Sequence, residues 1–200
     1  RGSSSCRPLT ALRDCSRRGR AVILYFVDFF RIMEYTGFIL SAQGKGMSLM
    51  VQEIEAPDAR AAIAREVLEA LPDWFGIPES REEYIRDSRT QPFWAELEGG
   101  AVRGFLALKE TSPCTAELAV MGVLPAYHRQ GIGRALFSAF HQYAREKGYV
   151  FLQVKTVREG CYTSYDQTNA FYRSLGFREL ECFPTLWGGQ NPCQIYIRNV

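Results

Sequence analysis

A chain of 200 residues that is 46% hydrophobic and 23% charged has enough apolar material for one domain with its own core. This composition excludes a collagen-like or wholly disordered chain. The net charge of +2 is unevenly spread: residues 1–46 carry eight Lys/Arg against three Asp/Glu, and residues 47–200 carry 16 against 19. A mildly acidic main part without a basic aromatic stripe gives no reason to expect nucleic acid, and it suits a cationic amine.

In residues 1–46 a basic cluster, Arg13 to Arg20, precedes the apolar run Ala21–Val27. That order mimics a signal peptide, but Asp28, Arg31 and Glu34 interrupt it and no small-residue cleavage site follows neatly. A membrane-spanning helix needs about 20 nearly uncharged residues, far more than this segment offers. Met47 is followed by what reads as a fresh domain start. Translation is therefore expected to begin at Met47, with 1–46 as read-through or an extension and 47–200 as the folded domain. An amphipathic N-terminal helix is the alternative. Six scattered cysteines, with no Cys-x-x-Cys pair and only His128 and His141 to join them, argue against zinc. They read as free thiols, and a cytoplasmic protein is expected.

Leu49, Val51 and Ile54 suit a first strand. Pro57 and Asp58 open a helix whose apolar residues Ala61, Ile63, Ala64, Val67, Leu68 and Leu71 follow helical spacing, with Pro72 as its stop. A short helix is expected over 80–87. Strands over 93–97 and 102–108 flank the Glu98-Gly99-Gly100 turn, and a third antiparallel strand runs over 115–124. The period then changes: Leu136, Phe140, Tyr143 and Ala144 share a helical face closed by Lys147-Gly148. Residues 150–154 form a nearly continuous apolar strand, as if covered on both faces. A helix over 167–175 and strands over 177–182 and 194–198 complete a mixed α/β order, β-α-α-β-β-β-α-β-α-β-β.

The most informative stretch runs from Val120 to Leu136. A strand ends at Pro125, and Gly131 and Gly133 stand at the mouth of a helix. Glycine there lets backbone amides converge, and with the helix dipole they make an anion site suited to a pyrophosphate. Arg129 and Arg134 bracket it with positive charge. A P-loop would need Gly-Lys-Ser/Thr, and a dinucleotide fingerprint would need Gly or Ala where Leu136 stands, so both are excluded. Some forty residues on comes Asn169-Ala-Phe-Tyr-Arg-Ser-Leu-Gly-Phe177. On a helix, Asn169 and Tyr172 share one face, while Phe171 and Leu175 point to the core.

Together these two stretches resemble the GCN5-related N-acetyltransferase (GNAT) family. Its acyl-CoA motif is a strand, Pro, Tyr, then Gln/Arg-x-x-Gly-x-Gly/Ala; His128 stands where Gln or Arg is usual. The resemblance is close over 117–177 and agrees elsewhere only in element order. It implies a mostly antiparallel sheet, flanked by helices and splayed between the 115–124 and 150–154 strands, with acetyl-CoA in the gap as co-substrate. It further implies main-chain bonds from Met121 and Val123 to the pantetheine arm, and a pyrophosphate held by Arg129, Gln130, Gly131, Ile132, Gly133 and Arg134. Asn169 and Tyr172 complete the expected cofactor contacts.

Acetyl transfer to an amine needs a neutral amine, a donor for the oxyanion and a proton for the departing thiolate. The Val123 amide is the family-like oxyanion donor. Tyr172, with an ordinary phenol pKa of about 10, can supply the proton. Glu117 is the first candidate for the base, acting through water, and Glu96 the second. No metal is needed. Acceptor specificity is expected from the aromatic bend Asp73–Ile77 and the loop Phe183–Trp187. The expected partner is a small-molecule amine, with a protein or peptide amine as alternative; a non-catalytic acyl-CoA sensor is the reading from another class. Neither nucleic acid nor membrane is expected, and a homodimer is allowed.

Overall fold

The computed structural model describes residues 49–200. The expectations on residues 1–46 and on Met47 as the start lie outside the described residues.

Three helices begin the described chain after β1 (Val51–Glu53): α1 (Pro57–Glu69), the single turn α2 (Pro72–Phe75) and α3 (Pro78–Ser88). Each has proline at its first positions, where the missing N–H is an orphan in any case. Pro72, expected only to stop a helix, both ends α1 and starts α2. The apolar face of α1 buries Ala64, Val67 and Leu68. Then come β2 (Phe93–Glu98) and β3 (Ala101–Ser112). They are joined by Gly99 and Gly100, both left-handed at φ 58° and 86°, which matches the strands' twist in a two-residue hairpin. β3 runs four residues past the expected end because Lys109 and Glu110, polar as they are, pair with Glu117 and Ala116.

The remaining elements are β4 (Thr115–Val123), a 3-10 turn (Pro125–Tyr127), α4 (Ile132–Glu146), β5 (Phe151–Val157), α5 (Thr163–Ser174), β6 (Arg178–Phe183) and β7 (Cys193–Asn199). The seven strands form one sheet in the order β1-β2-β3-β4-β5-β7-β6. Every pairing is antiparallel except β4 with β5. This is the expected mixed, mostly antiparallel architecture.

Side chains alternate across the sheet, so Phe105 and Ala107 join a core with Val67 and Leu68 of α1, while Leu106 and Leu108 join a core with Leu136 and Phe140 of α4. In β4 the register slips: Ala107 faces Val120, and Leu108 faces Leu118. Ala119 is therefore an extra residue, a bulge, and it swaps the faces of everything after it. Leu118 packs on the α4 side, Val120 on the α1 side and Met121 again on the α4 side.

Parallel pairing of β4 with β5 starts at Thr115–Phe151 and stops at Leu118–Val154. Both strands continue beyond it, so the sheet opens from the bulge onward, as the resemblance implied. β5 itself corrects the reading of an apolar strand covered on both faces. Leu152 and Val154 are buried, but Val150 is 46% and Phe151 37% exposed, and Gln153 and Lys155 turn to Glu117 on β4. Cys161, Cys182 and Cys193 are free thiols. Among the described residues no helix is long and apolar enough to cross a membrane.

Candidate active site

The opened edge of β4 supplies the first part of the site. The Leu124 amide donates to Arg103 O at 2.8 Å, toward β3. By alternation the Met121 and Val123 amides point the other way, where β5 has already diverged. Buried amides need an acceptor, and an extended amide-bearing ligand laid along this edge would supply one. The Val123 carbonyl on the same edge accepts from His128 Nε2 at 2.7 Å, which requires the proton on Nε2. His128 also lies edge-on to Trp74, with ring centroids 6.2 Å apart. Sequence reasoning treated His128 as a tolerated departure and missed that it fixes this carbonyl.

The second part is the turn before α4. Arg129 at φ 63° and Gly131 at φ 86° are both left-handed, a conformation that costs a non-glycine residue about 1 kcal/mol or more. The turn gathers backbone N–H groups into a concave nest. Gly131 O accepts from the Arg134 and Ala135 amides at 3.1 and 3.0 Å. The amides of Gly131, Ile132 and Gly133 precede the first intrahelical bond and are free to meet an anion at the positive end of the helix. Arg129 and Arg134 stand beside them along the cavity. Gln130 instead folds back, donating to Ala126 O at 3.1 Å. A Cβ added to Gly133 would lie 3.2 Å from Phe171 Cζ; only glycine lets α5 cross the first turn of α4 this closely.

Tyr172 on α5 is 6% exposed, its ring 6.0 Å from Phe177 and 6.5 Å from Tyr196. Its hydroxyl has no hydrogen-bond partner among the described residues. Burial pushes the phenol well above the ordinary tyrosine range, with Tyr165 and Tyr84 adding to the effect, so it stays protonated at neutral pH. Asn169, grouped with Tyr172 as a cofactor contact, is placed differently. It is fully buried, outside the lining of the cavity, and its Nδ2 donates to Val157 O at 2.9 Å and to Tyr165 O at 2.7 Å. The face shared with Tyr172 packs on the end of β5, so Asn169 pins α5 and orients Tyr172 rather than touching a ligand. Asn169→Ala is expected to cost about 2 kcal/mol of stability, from a lost hydrogen bond and an unpaired buried carbonyl, while acetyl-CoA affinity of the folded protein changes little. Urea unfolding and calorimetry check the two halves.

Neither candidate carboxylate lines the cavity. Glu117 is 6% exposed, and its Oε2 accepts from both Gln153 Nε2 and Lys155 Nζ at 2.5 Å. Glu96, fully buried, accepts from Arg103 Nε and Nη2 and also from the Met50 amide. It is a structural ion pair, and that removes it as a base.

One cavity of about 880 Å³ joins these parts. Met121, Val123, Arg129, Gly131, Ile132, Gly133, Arg134 and Tyr172 line it, as do Trp74, Phe75 and Trp187 from the expected aromatic bend and loop. Tyr84, Arg81 and Lys155 line it too, and none of these was singled out: a helix period reveals α3 but not which face meets another element's gap. The free amides of the turn, the two arginines and the open strand edge fit a pyrophosphate joined to an amide-bearing arm, as in coenzyme A. Among the described residues no His/Cys/Asp/Glu group is placed to hold a metal ion.

Residues 89–179 match the model of the acetyltransferase (GNAT) domain. Among curated proteins, an uncharacterized N-acetyltransferase, YsnE of Bacillus subtilis, is 27% identical over 105 residues, 52% of this chain and 66% of its own. The N-alpha-acetyltransferase RimI of Mycobacterium tuberculosis is 35% identical over 85 residues, 41% of this chain and 49% of its own. The match thus spans about half to two thirds of each relative's length. Among solved structures, a GNAT-family acetyltransferase described as putative, from Desulfovibrio desulfuricans, superposes with a TM-score of 0.64 at 19% identity, over 76% of this chain and 99% of its own. A GNAT acetyltransferase from Elizabethkingia anophelis, solved with acetyl-CoA bound, has a TM-score of 0.60 at 16% identity, over 76% and 98%.

Proposed function

The chain belongs to the GNAT acetyltransferase family, and from that membership and its site we propose that it transfers the acetyl group of acetyl-CoA directly to a primary amine of a small molecule. The amides of Gly131, Ile132 and Gly133, with Arg129 and Arg134, hold the pyrophosphate, and the Met121 and Val123 amides hold the pantetheine arm. The Val123 N–H donates to the acetyl oxygen as it gains negative charge. Tyr172 gives its phenolic proton to the sulfur as the carbon–sulfur bond breaks. The proton shed by the amine leaves through water, with Glu117 reached only by way of Lys155, and the phenol is reprotonated from the same water.

Tyr172 carries this reading: it lines the same cavity as the turn before α4, and its hydroxyl is protonated and without a partner among the described residues. Thiol release from acetyl-CoA, followed with panels of small amines, aminoglycosides and peptides, tests it. Turnover of small amines is expected. Turnover of peptide amines alone would favour the alternative, a protein α-amine acceptor, which the likeness to RimI supports. A cytoplasmic location and a homodimer belong to the same proposal; size-exclusion chromatography with light scattering decides the second.

A further inference from the structure

The acceptor end of the cavity has a charge opposite to the one that residues 47–200 suggest as a whole. Among the described residues no Asp or Glu lines the cavity. Besides Arg129 and Arg134 of the turn before α4, two cations line it, Arg81 on α3 and Lys155 on β5. Lys155 is neutralised by Glu117 behind it. Arg81 is not: it makes no ion pair among the described residues, its Nε is buried without a hydrogen-bond partner, and its Nη1 reaches only the Phe75 carbonyl, at 3.4 Å. Beyond that one long contact the guanidinium has no hydrogen-bond partner among the described residues, and an anion in the cavity would supply an acceptor to its terminal nitrogens. A substrate bearing extra positive charge would meet repulsion instead, because the local field and not the net charge of the domain acts on it. Around Arg81 the walls are aromatic. Trp74 is fixed by its Nε1 bond to Thr168 at 3.0 Å, Phe75 and Tyr84 pack edge to face at 5.9 Å, and Trp187 also lines the cavity.

We propose that the acceptor is an amine carrying its own anionic group, a carboxylate or a phosphonate-like oxyanion, on an aromatic or apolar body, with Arg81 as its anchor. The proposal rests on the acetyltransferase reading above and differs from the cationic amine that net charge suited.

Initial rates with acetyl-CoA are compared for acceptors sharing one phenethyl body. These are phenylalanine and 4-(2-aminoethyl)benzoate, which place the carboxylate near to and far from the amine, the phosphonate analogue of phenylalanine, and uncharged-tail phenethylamine; spermidine is the polycationic control. At least one anionic acceptor is expected to exceed phenethylamine about tenfold or more in kcat/KM, with spermidine lowest. The carboxylate and phosphonate arms identify the preferred anion. Arg81→Met is expected to raise KM for that acceptor by a similar factor and to change phenethylamine far less, with Arg81→Lys in between. The proposal is overturned if phenethylamine or spermidine matches the anionic acceptors, if Arg81→Met weakens all acceptors equally, or if acetyl-CoA binds and none of the five is acetylated. Calorimetry with acetyl-CoA on the same samples separates the two readings: without cofactor binding the enzyme assignment itself falls, whereas binding with turnover of phenethylamine alone sinks only the anion anchor.

Discussion

Gly133→Asp is expected to abolish measurable acetyl-CoA binding. Two effects add. The new Cβ would lie 3.2 Å from Phe171 Cζ, so α5 must give way by a few tenths of an ångström. The carboxylate would also project where the Gly131, Ile132 and Gly133 amides and two arginines gather negative charge. Setting like charges together at a binding contact costs several kcal/mol, which corresponds to a loss of at least about 100-fold in affinity. Acidic residues in a first helical turn ordinarily favour the helix, so α4 should remain folded, and its circular dichroism serves as the control. Gly133→Ala isolates the steric part and should weaken binding less; adding Phe171→Leu should recover some of that loss. Near wild-type affinity of Gly133→Asp by calorimetry would place the pyrophosphate elsewhere.

The turn ahead of α4 could be read from the sequence because backbone geometry dictated it: a turn that gathers amides ahead of a helix needs glycine, and glycine is visible. The Gly99-Gly100 hairpin was legible for the same reason. Side-chain roles were harder. Asn169 and Tyr172 do share a helical face, as spacing required, yet one end of that face meets β5 and the other meets the cavity. Only packing distinguishes them. Glu117 looked available as a base because nothing in one strand reveals that Gln153 and Lys155 of a neighbouring strand claim it. The bulge at Ala119 left no mark in an apolar run, although it sets which residues of β4 face which core. Net charge is silent on the cavity: residues 47–200 carry 19 acidic residues, none of those described lines its wall, and a sum over a surface carries no information about one concave patch of it.

Tyr172→Phe is expected to lower kcat by about 10²- to 10⁴-fold, the range for loss of a positioned general acid, with acetyl-CoA affinity nearly intact. The change is clean because the ring keeps its contacts with Phe177 and Tyr196, and the missing hydroxyl orphans no protein group, so the thermal midpoint should move little. The pH dependence sharpens the test. A phenol raised by burial loses its proton only above the ordinary tyrosine range, so the acid is present throughout the window in which the acceptor ammonium deprotonates. Wild-type activity should therefore climb with pH as the neutral amine accumulates, with no fall from loss of the acid near pH ~10. The Tyr172→Phe enzyme should climb in parallel, displaced downward, because it lacks the acid at every pH. If kcat were unchanged, a water would be protonating the sulfur. If instead the variant's deficit vanished at alkaline pH, where wild-type rates would also fall, the phenol would be titrating as an ordinary exposed tyrosine, and its place deep beside Phe177 and Tyr196 would not describe the working enzyme.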